Sequence, residues 1–329
     1  MSDIQSKAWT YKTTTGGFVK NLSLTDYPIP DFKQDHVLIE VFNASLNPGD
    51  YKIPDLPFGS CSGGNDDDQR NLYVAQIVLS IHRDPKTLGT LKTIMWVHRD
   101  SVYPLPENIP TEHGSGFDMG ALTAYQAIVS YANSPSGKVL ISGGSGGVGA
   151  FCIQVAKTLG LYAIATCSEA GPPLCKEHGA DVTLDYKSPT LQDDLRKTQV
   201  DLVVDDVGYD PQFHRRSEGF LKPERQFVLV AIMDRDWAGI RSMLVSFFVP
   251  AWLGGPSRKR KAIFTRSQLG DYAAVAALAR EGKLKVVADS VFSFEHMPKA
   301  FERLKSGQAK GKIIVDVSTH ATKVNTKRS

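Results

Sequence analysis

The chain has 329 residues, of which 42% are hydrophobic and 22% charged, with a formal net charge of +3. That length exceeds what one hydrophobic core usually serves, so two globular domains are expected, and disordered or fibrous classes are excluded. Lys and Arg mix with Asp and Glu along the chain, which argues against nucleic-acid binding, and no stretch approaches the ~20 apolar residues that span a membrane.

Taken in chain order, the residues up to Asp50 read as an antiparallel β domain. Extended segments at 7–11, 18–24 and 36–43 are broken by Pro28, Pro30 and the turn Asn47-Pro48-Gly49-Asp50. A polar loop follows at 59–68, then apolar stretches at 72–82 and 91–97. From Lys138 the rhythm changes. Short β-branched runs at 138–142, 162–166, 182–186, 200–205, 225–232 and 262–265 alternate with helical patterns, which is the signature of a parallel sheet with crossover helices. Between the first two runs, Val148, Phe151, Cys152, Val155, Ala156 and Leu159 recur at helical spacing, so an amphipathic helix is expected over 147–159. The apolar stretch 243–253 contains Pro250 and reads as a core or interface segment. The basic run Arg258-Lys259-Arg260-Lys261 reads as a solvated loop, with a nuclear address or an anion-binding edge as alternatives. The β character then returns at 287–294, followed by a helix at 297–304, a Ser306-Gly307 stop, a strand at 312–317 and a disordered tail at 318–329.

No early stretch combines a basic start with the apolar run of a secretory signal, so a cytoplasmic location is expected. Cys61, Cys152, Cys167 and Cys175 are too few and too irregular for a disulfide framework and are expected to be reduced thiols. They form no CxxC pair, and His113, His178, His214 and His296 stand singly in the sequence, so no metal site is expected.

The strongest local signal is Gly144-Ser145-Gly146-Gly147-Val148-Gly149. A lone GxGxxG is weak, but this one follows a predicted strand and opens a predicted helix, the setting that dinucleotide binding requires. Gly144 would allow the tight turn, Gly146 the approach of backbone to pyrophosphate, and Gly149 close packing of helix on strand. Unpaired amides at the helix start would then face the phosphates. The second strand ends at Thr166-Cys167-Ser168-Glu169. Ser168 could hydrogen-bond a ribose 2′-phosphate and Lys176 could neutralise it, whereas Glu169 would repel it or serve NAD. NADPH is favoured over NADH on this reading. Alternatively, Ser168 caps the helix beginning near Pro172 and Lys176 is a solvated helix residue.

Several stretches carry a family resemblance. Leu122-Thr123-Ala124-Tyr125-Gln126, the turn from Gly143 to Gly149, Gln154-Val155-Ala156-Lys157, and Gly179-Ala180-Asp181 through Asp185-Tyr186 resemble the medium-chain dehydrogenase/reductase superfamily. Within it, they are similar to the zinc-independent quinone oxidoreductase and enoyl reductase branch. Asn47-Pro48-Gly49-Asp50-Tyr51-Lys52, Val204-Asp205-Asp206-Val207-Gly208 and the stretch from Ala300-Phe301 to Gly311-Lys312-Ile313-Ile314-Val315 extend the likeness over 7–53 and 103–317. The resemblance implies an α/β fold: a Rossmann doubly wound parallel sheet plus a GroES-like, β-rich catalytic domain that is divergent or partly truncated. The implied division is 1–115 catalytic, 116–265 dinucleotide-binding and 266–317 returning to the catalytic domain. It also implies that Thr123 lies beside the nicotinamide, that Tyr186 flanks the adenosine end and that Lys312 is a cofactor-side lysine. The alternatives are a helix-start Thr123, a packed strand-end Tyr186 and a surface Lys312. Together with the apolar stretch 243–253, the resemblance suggests a homodimer.

The implied reaction is hydride transfer to an activated C=C bond (an enone or enoyl group) or to a quinone, which needs a donor to stabilise the oxygen that gains charge. The position resembling a zinc-ligand cysteine in metal-bearing relatives lies within Asn47-Pro48-Gly49-Asp50. Asn47 is the leading candidate for orienting nicotinamide or a small-molecule substrate. Asp50 and Tyr51 are possible polar partners, and of these Tyr51 has the phenolic proton. Ordinary turn chemistry is the alternative for Asp50. Residues 54–100 depart from the family pattern where the substrate pocket should form. A divergent pocket and a degraded catalytic domain both remain open, and with them a nicotinamide-binding pseudoenzyme or redox sensor; an alcohol dehydrogenase-like enzyme is the third reading.

Overall fold

The computed structural model describes residues 6–28, 34–52, 70–71, 91–131, 136–208, 212–230, 259–263, 265–266 and 268–320. The readings made on 59–68, 72–82 and 243–253, on Cys61, and on the tail beyond residue 320 lie outside these residues. The chain divides into two compact units, one of 1–119, 266–280 and 288–329, the other of 120–265 and 281–287.

The first unit is built from small sheets. β1 (Ser6–Tyr11) pairs antiparallel with β2 (Ser23–Tyr27), while β3 (His36–Glu40) pairs antiparallel with a later strand, Ile94–His98. β4 (Asn43–Leu46) completes a third sheet with two strands from the end of the chain. Two expected strands are reorganised by burial. The segment 18–24 is a 3-10 turn, Phe18–Asn21, before β2, because Phe18 is fully buried edge-on against Tyr11 and Phe301 and the chain must turn to insert it. The segment 36–43 breaks at the buried Val41, so that β3 and β4 serve different sheets. After β4 comes the short helix α1 (Pro48–Lys52), and β5 (Arg70–Asn71) and β6 (Ile94–His98) follow.

Helix α2 (Thr111–Ile128) leads the chain into the second unit. Here β7 (Lys138–Ser142), α3 (Gly147–Thr158), β8 (Tyr162–Cys167), α4 (Pro172–Glu177), β9 (Val182–Asp185), α5 (Leu191–Thr198), β10 (Val200–Asp205), α6 (Phe213–Ser217), β11 (Leu221–Leu229) and β12 (Lys259–Ala262) form an alternating series. The strands make one parallel sheet in the order β12-β11-β10-β7-β8-β9, two wings growing outward from β7, which is the Rossmann arrangement. The apolar runs are continuous because the inner strands are covered on both faces: every residue of β10 is buried, as are Val139 to Ser142 of β7. Leu140, Ile164, Val203 and Phe227 meet in the core beneath the helices.

Three further expectations are corrected in this unit. α3 is buried all the way from Gly149 to Ala156 rather than along one stripe. Its Gln154 side chain accepts from Lys285 N (2.7 Å) and donates to Lys285 O (3.1 Å), so even its polar residue faces protein. The strand expected at 225–232 starts earlier, at Leu221, and ends at Leu229. Within the basic run, the described residues Lys259, Arg260 and Lys261 are not a loop. Lys259–Ala262 is the outer strand β12 in place of the expected 262–265, and the charge of Arg260 lies near the buried Asp205 carboxylate, an internal neighbour that the run of charges conceals.

After β12, helix α7 (Leu269–Arg280), β13 (Ala288–Ser293), α8 (Met297–Lys305) and β14 (Lys312–Asp316) complete the fold. β14 runs parallel to β13 and antiparallel to β4, which returns the chain's end to the first unit's core. Trp9, Phe18, Leu46, Phe294, Phe301 and Val315 share that core, and Trp9 Nε1 donates to Phe294 O at 2.8 Å. Ser318–His320, expected as part of the tail, forms a 3-10 turn held by Ser318 N donating to Asp316 Oδ1 at 2.9 Å.

Candidate functional site

In the second unit, β7 and β10 are neighbours at the point where strand order reverses, with Ser142 paired to Asp205 at their carboxyl ends. Ligands of open α/β sheets bind at such a point, and here it is occupied by the glycine turn. Gly144 N donates to Thr166 O (2.9 Å) and Gly146 N to Gly143 O (2.9 Å), after which α3 begins. The glycines divide their tasks differently from the sequence expectation. The positive φ of 80° falls on Gly143, one residue earlier than the Gly144 to which the tight turn was assigned. Gly144 is demanded by packing instead, because a Cβ there would lie 2.7 Å from Ala165 Cβ. At Gly149 a Cβ would sit 2.1 Å from Gly143 O, so only glycine lets helix and turn close together. Gly146 is less confined, with Gly143 O at 3.2 Å as its nearest neighbour. Ser145, Gly146, Gly147 and Val148 keep exposed surface at the helix start. Glycine-lined backbone at the positive end of a 12-residue helix fits a pyrophosphate, although one of its amides, Gly149 N, donates to Asp206 Oδ2 at 3.1 Å.

The strands beside the turn place two of the adenosine-end candidates together. Cys167 of β8 pairs with Asp185 of β9, so Ser168 and Tyr186 leave adjacent strand ends. Ser168 is partly exposed and does not cap α4: the N-cap is Gly171, whose amide donates to Ser168 O at 2.7 Å. Tyr186 is 53% exposed, with Lys187 Nζ 5.6 Å from its ring centroid, so it is not a packed strand-end aromatic. Lys176 is exposed on α4. Thr123, only 4% exposed, lies in the middle of α2 rather than at a helix start, and its hydroxyl shares a 2.5 Å hydrogen bond with Thr265, a residue that local sequence reading does not single out.

In the first unit, Asn47 closes β4 and opens α1 and is 7% exposed. Leu46 is in register with Ile313 of β14, which brings Lys312 alongside Asn47. Lys312 is 4% exposed, which excludes the surface-strand alternative; its Nζ donates to Asn47 Oδ1 at 2.5 Å and to Leu46 O at 3.4 Å. An ammonium can only donate, so Lys312 fixes the Asn47 carbonyl toward itself and leaves the Asn47 NH2 as the side chain's donor. Asp50 Oδ2 accepts from Asn47 N at 2.7 Å and Asp50 N donates to Asn47 O at 2.9 Å, so its observed bonds are those of turn chemistry. Asp50 keeps some exposed surface, yet burial of its carboxyl raises the pKa to about 6, against the opposing pull of the Asn47 amide and the Lys312 charge. The Tyr51 ring packs against the first unit's core, with Lys305 Nζ 5.6 Å from its centroid. Among the described residues no group of three or more His, Cys, Asp or Glu side chains is placed to hold a metal ion, and no helix is long and apolar enough to cross a membrane. The described cysteines, Cys152, Cys167 and Cys175, are buried free thiols.

A doubly wound sheet with a glycine turn at its switch point, joined in one chain to a separate β unit, defines a protein of the dinucleotide-binding fold. The comparisons with known proteins agree. The family described as "Zinc-binding dehydrogenase" matches residues 178–315. The trans-enoyl reductase pgmF of Aspergillus terreus is 32% identical over 341 residues, covering 94% of this chain and 96% of that protein. The mitochondrial NAD(P)H oxidoreductase RTN4IP1 of Danio rerio is 29% identical over 252 residues, 71% of this chain and 64% of its own. Among solved structures, the quinone oxidoreductase from Coxiella burnetii superposes with a TM-score of 0.77 at 24% identity, over 95% of this chain and 100% of that one. The chain belongs to the medium-chain dehydrogenase/reductase superfamily and is an oxidoreductase of the quinone oxidoreductase- and enoyl reductase-like kind.

Proposed function

We propose that the chain is a zinc-independent, NADPH-dependent reductase of an activated C=C bond, with quinones as the second substrate class. The observation that carries this reading is the likeness, across nearly the whole chain, to a protein named a trans-enoyl reductase. The glycine turn would hold the pyrophosphate, Ser168 and Tyr186 the adenosine end, and Lys176 the charge of a 2′-phosphate. Thr123 would orient the nicotinamide side, held in place by its bond to Thr265. The dinucleotide supplies the hydride when bound.

The protein's part is to offer a donor where negative charge develops on oxygen, and the Asn47 NH2, aimed by Lys312, has that chemistry. Zinc independence fits this donor set. A lysine cation already lies against Asn47 Oδ1, and a second cation there would meet its repulsion. A cytoplasmic homodimer is proposed on the same footing. The deciding experiment is titration with NADPH and NADH, turnover with enones, enoyl thioesters and quinones, and metal analysis of the active protein. Turnover with NADPH at sub-stoichiometric zinc supports the reading. Tight NADPH binding with no oxidation across the panel would establish a pseudoenzyme instead.

A further inference from the structure

β10 ends at Asp205, and a second carboxylate, Asp206, follows it directly; the two do different things. Asp205 is buried, and its Oδ1 accepts from Val207 N and Gly208 N, each at 3.2 Å, so it holds the turn that follows its own strand. Asp206 reaches the other way. Its Oδ2 accepts from Gly149 N at 3.1 Å, and it lies 3.7 Å from the position a Cβ would take on Gly146. Gly146 is the N-cap of α3 and has no side chain to offer the helix's first amides. Asp206 therefore supplies, from the neighbouring strand end, the acceptor that an Asn, Asp or Ser cap would ordinarily provide.

This places a negative charge on the glycine turn itself. A helix N-terminus favours an anion, and here one of its amides already has a carboxylate. Resting on the function proposed above, the pyrophosphate of a dinucleotide must share this helix end with Asp206, and two like charges in a partly desolvated site oppose each other. We propose that Asp206 is an affinity-setting residue of the cofactor site: it caps α3 and weakens dinucleotide binding by its charge, which favours release of the spent cofactor.

The test uses Asp206→Asn in the full chain, because an amide oxygen can still accept from Gly149 N while the charge is gone. Binding is measured by titration calorimetry with NADPH, ADP-ribose and adenosine at low and high salt. The variant is expected to bind NADPH and ADP-ribose roughly tenfold more tightly at low salt, with a smaller gain at high salt and no change for adenosine, which carries no phosphate. Unchanged or weaker NADPH binding by a folded variant overturns the proposal, as does equal tightening for adenosine, which would report a reshaped site rather than a removed charge. Should Asp206→Asn prove unstable, Asp206→Ser, which keeps a short acceptor, must show the same dependence on ligand charge, and its failure to do so counts against the proposal equally. A wild-type protein that binds no phosphate-bearing probe contradicts the proposed function itself; normal binding with an unaltered Asp206→Asn contradicts only the role of Asp206.

Discussion

Replacing Asp50 with Asn is expected to stabilise the protein at neutral pH, although it removes a carboxylate that accepts a hydrogen bond. The folded-state pKa is raised from 3.8 to about 6. The folded chain therefore binds more protons than the unfolded chain across that interval, and stability falls as pH rises through it. At about 1.36 kcal/mol per unit, the full shift corresponds to about 3 kcal/mol against the ionised form. Asp50 retains exposed surface, and solvent screening reduces the expected effect to about 1–2 kcal/mol. The amide oxygen of the introduced side chain can still accept from Asn47 N, so the variant loses the charge and keeps the turn. Thermal and denaturant unfolding of both proteins should coincide near pH 4 and diverge by pH 7, the variant then melting about 2–6 °C higher. A variant less stable than wild type by the same amount at every pH would show that the capping bond, and not burial of charge, governs Asp50.

The remaining expectations follow from the same geometry. Gly149→Ala should destabilise the protein by several kcal/mol or prevent folding, because its Cβ would fall 2.1 Å from Gly143 O, whereas Gly146→Ala, at 3.2 Å, should fold and lose nucleotide affinity; melting curves paired with NADPH titration separate the two. Lys312→Met leaves the buried Asn47 carbonyl without its donor, which should cost about 1–3 kcal/mol of stability and lower kcat more than KM for nucleotide. An unchanged kcat would remove Lys312 from the account. Ser168→Ala combined with Lys176→Ala should reduce the preference for NADPH over NADH by about tenfold while leaving NADH affinity unchanged. Equal loss for both cofactors would mean that these residues do not read the 2′-phosphate.

How much of this was legible in the sequence depends on how local each feature is. The parallel sheet was, because strands covered on both faces must be continuous apolar runs, and β7 and β10 read as such. The glycine turn was, because strand, glycines and helix lie within a dozen residues of one another. Even there the division of labour was not: the positive φ falls on Gly143, whereas Gly144 is demanded by the close approach of Ala165 from the neighbouring strand. Phe18 looked like a strand residue because its partners Tyr11 and Phe301 are brought to it by the fold. The basic strand β12 looked like a loop because the partner of its arginine, Asp205, is buried on another strand.

The candidate site shows the same limit. Asn47 and Asp50 stand out as a turn motif, but what aims Asn47 is a lysine 265 residues away, delivered by the pairing of β14 with β4. Thr123 is found by resemblance, whereas its partner Thr265, 142 residues on, has no local signal at all. Asp206 looked like one more strand-end carboxylate, and only the topology that sets β10 beside β7 carries it to the glycine turn.

Zinc-independent hydride transfer is tested by single-turnover reduction of an enone or enoyl thioester with NADPH deuterated on its transferred hydrogen, carried out after metal analysis. Deuterium is expected on the carbon of the former double bond, in protein holding far less than one zinc per chain. Saturated product without deuterium, or turnover that tracks zinc content and vanishes on chelation, would contradict it.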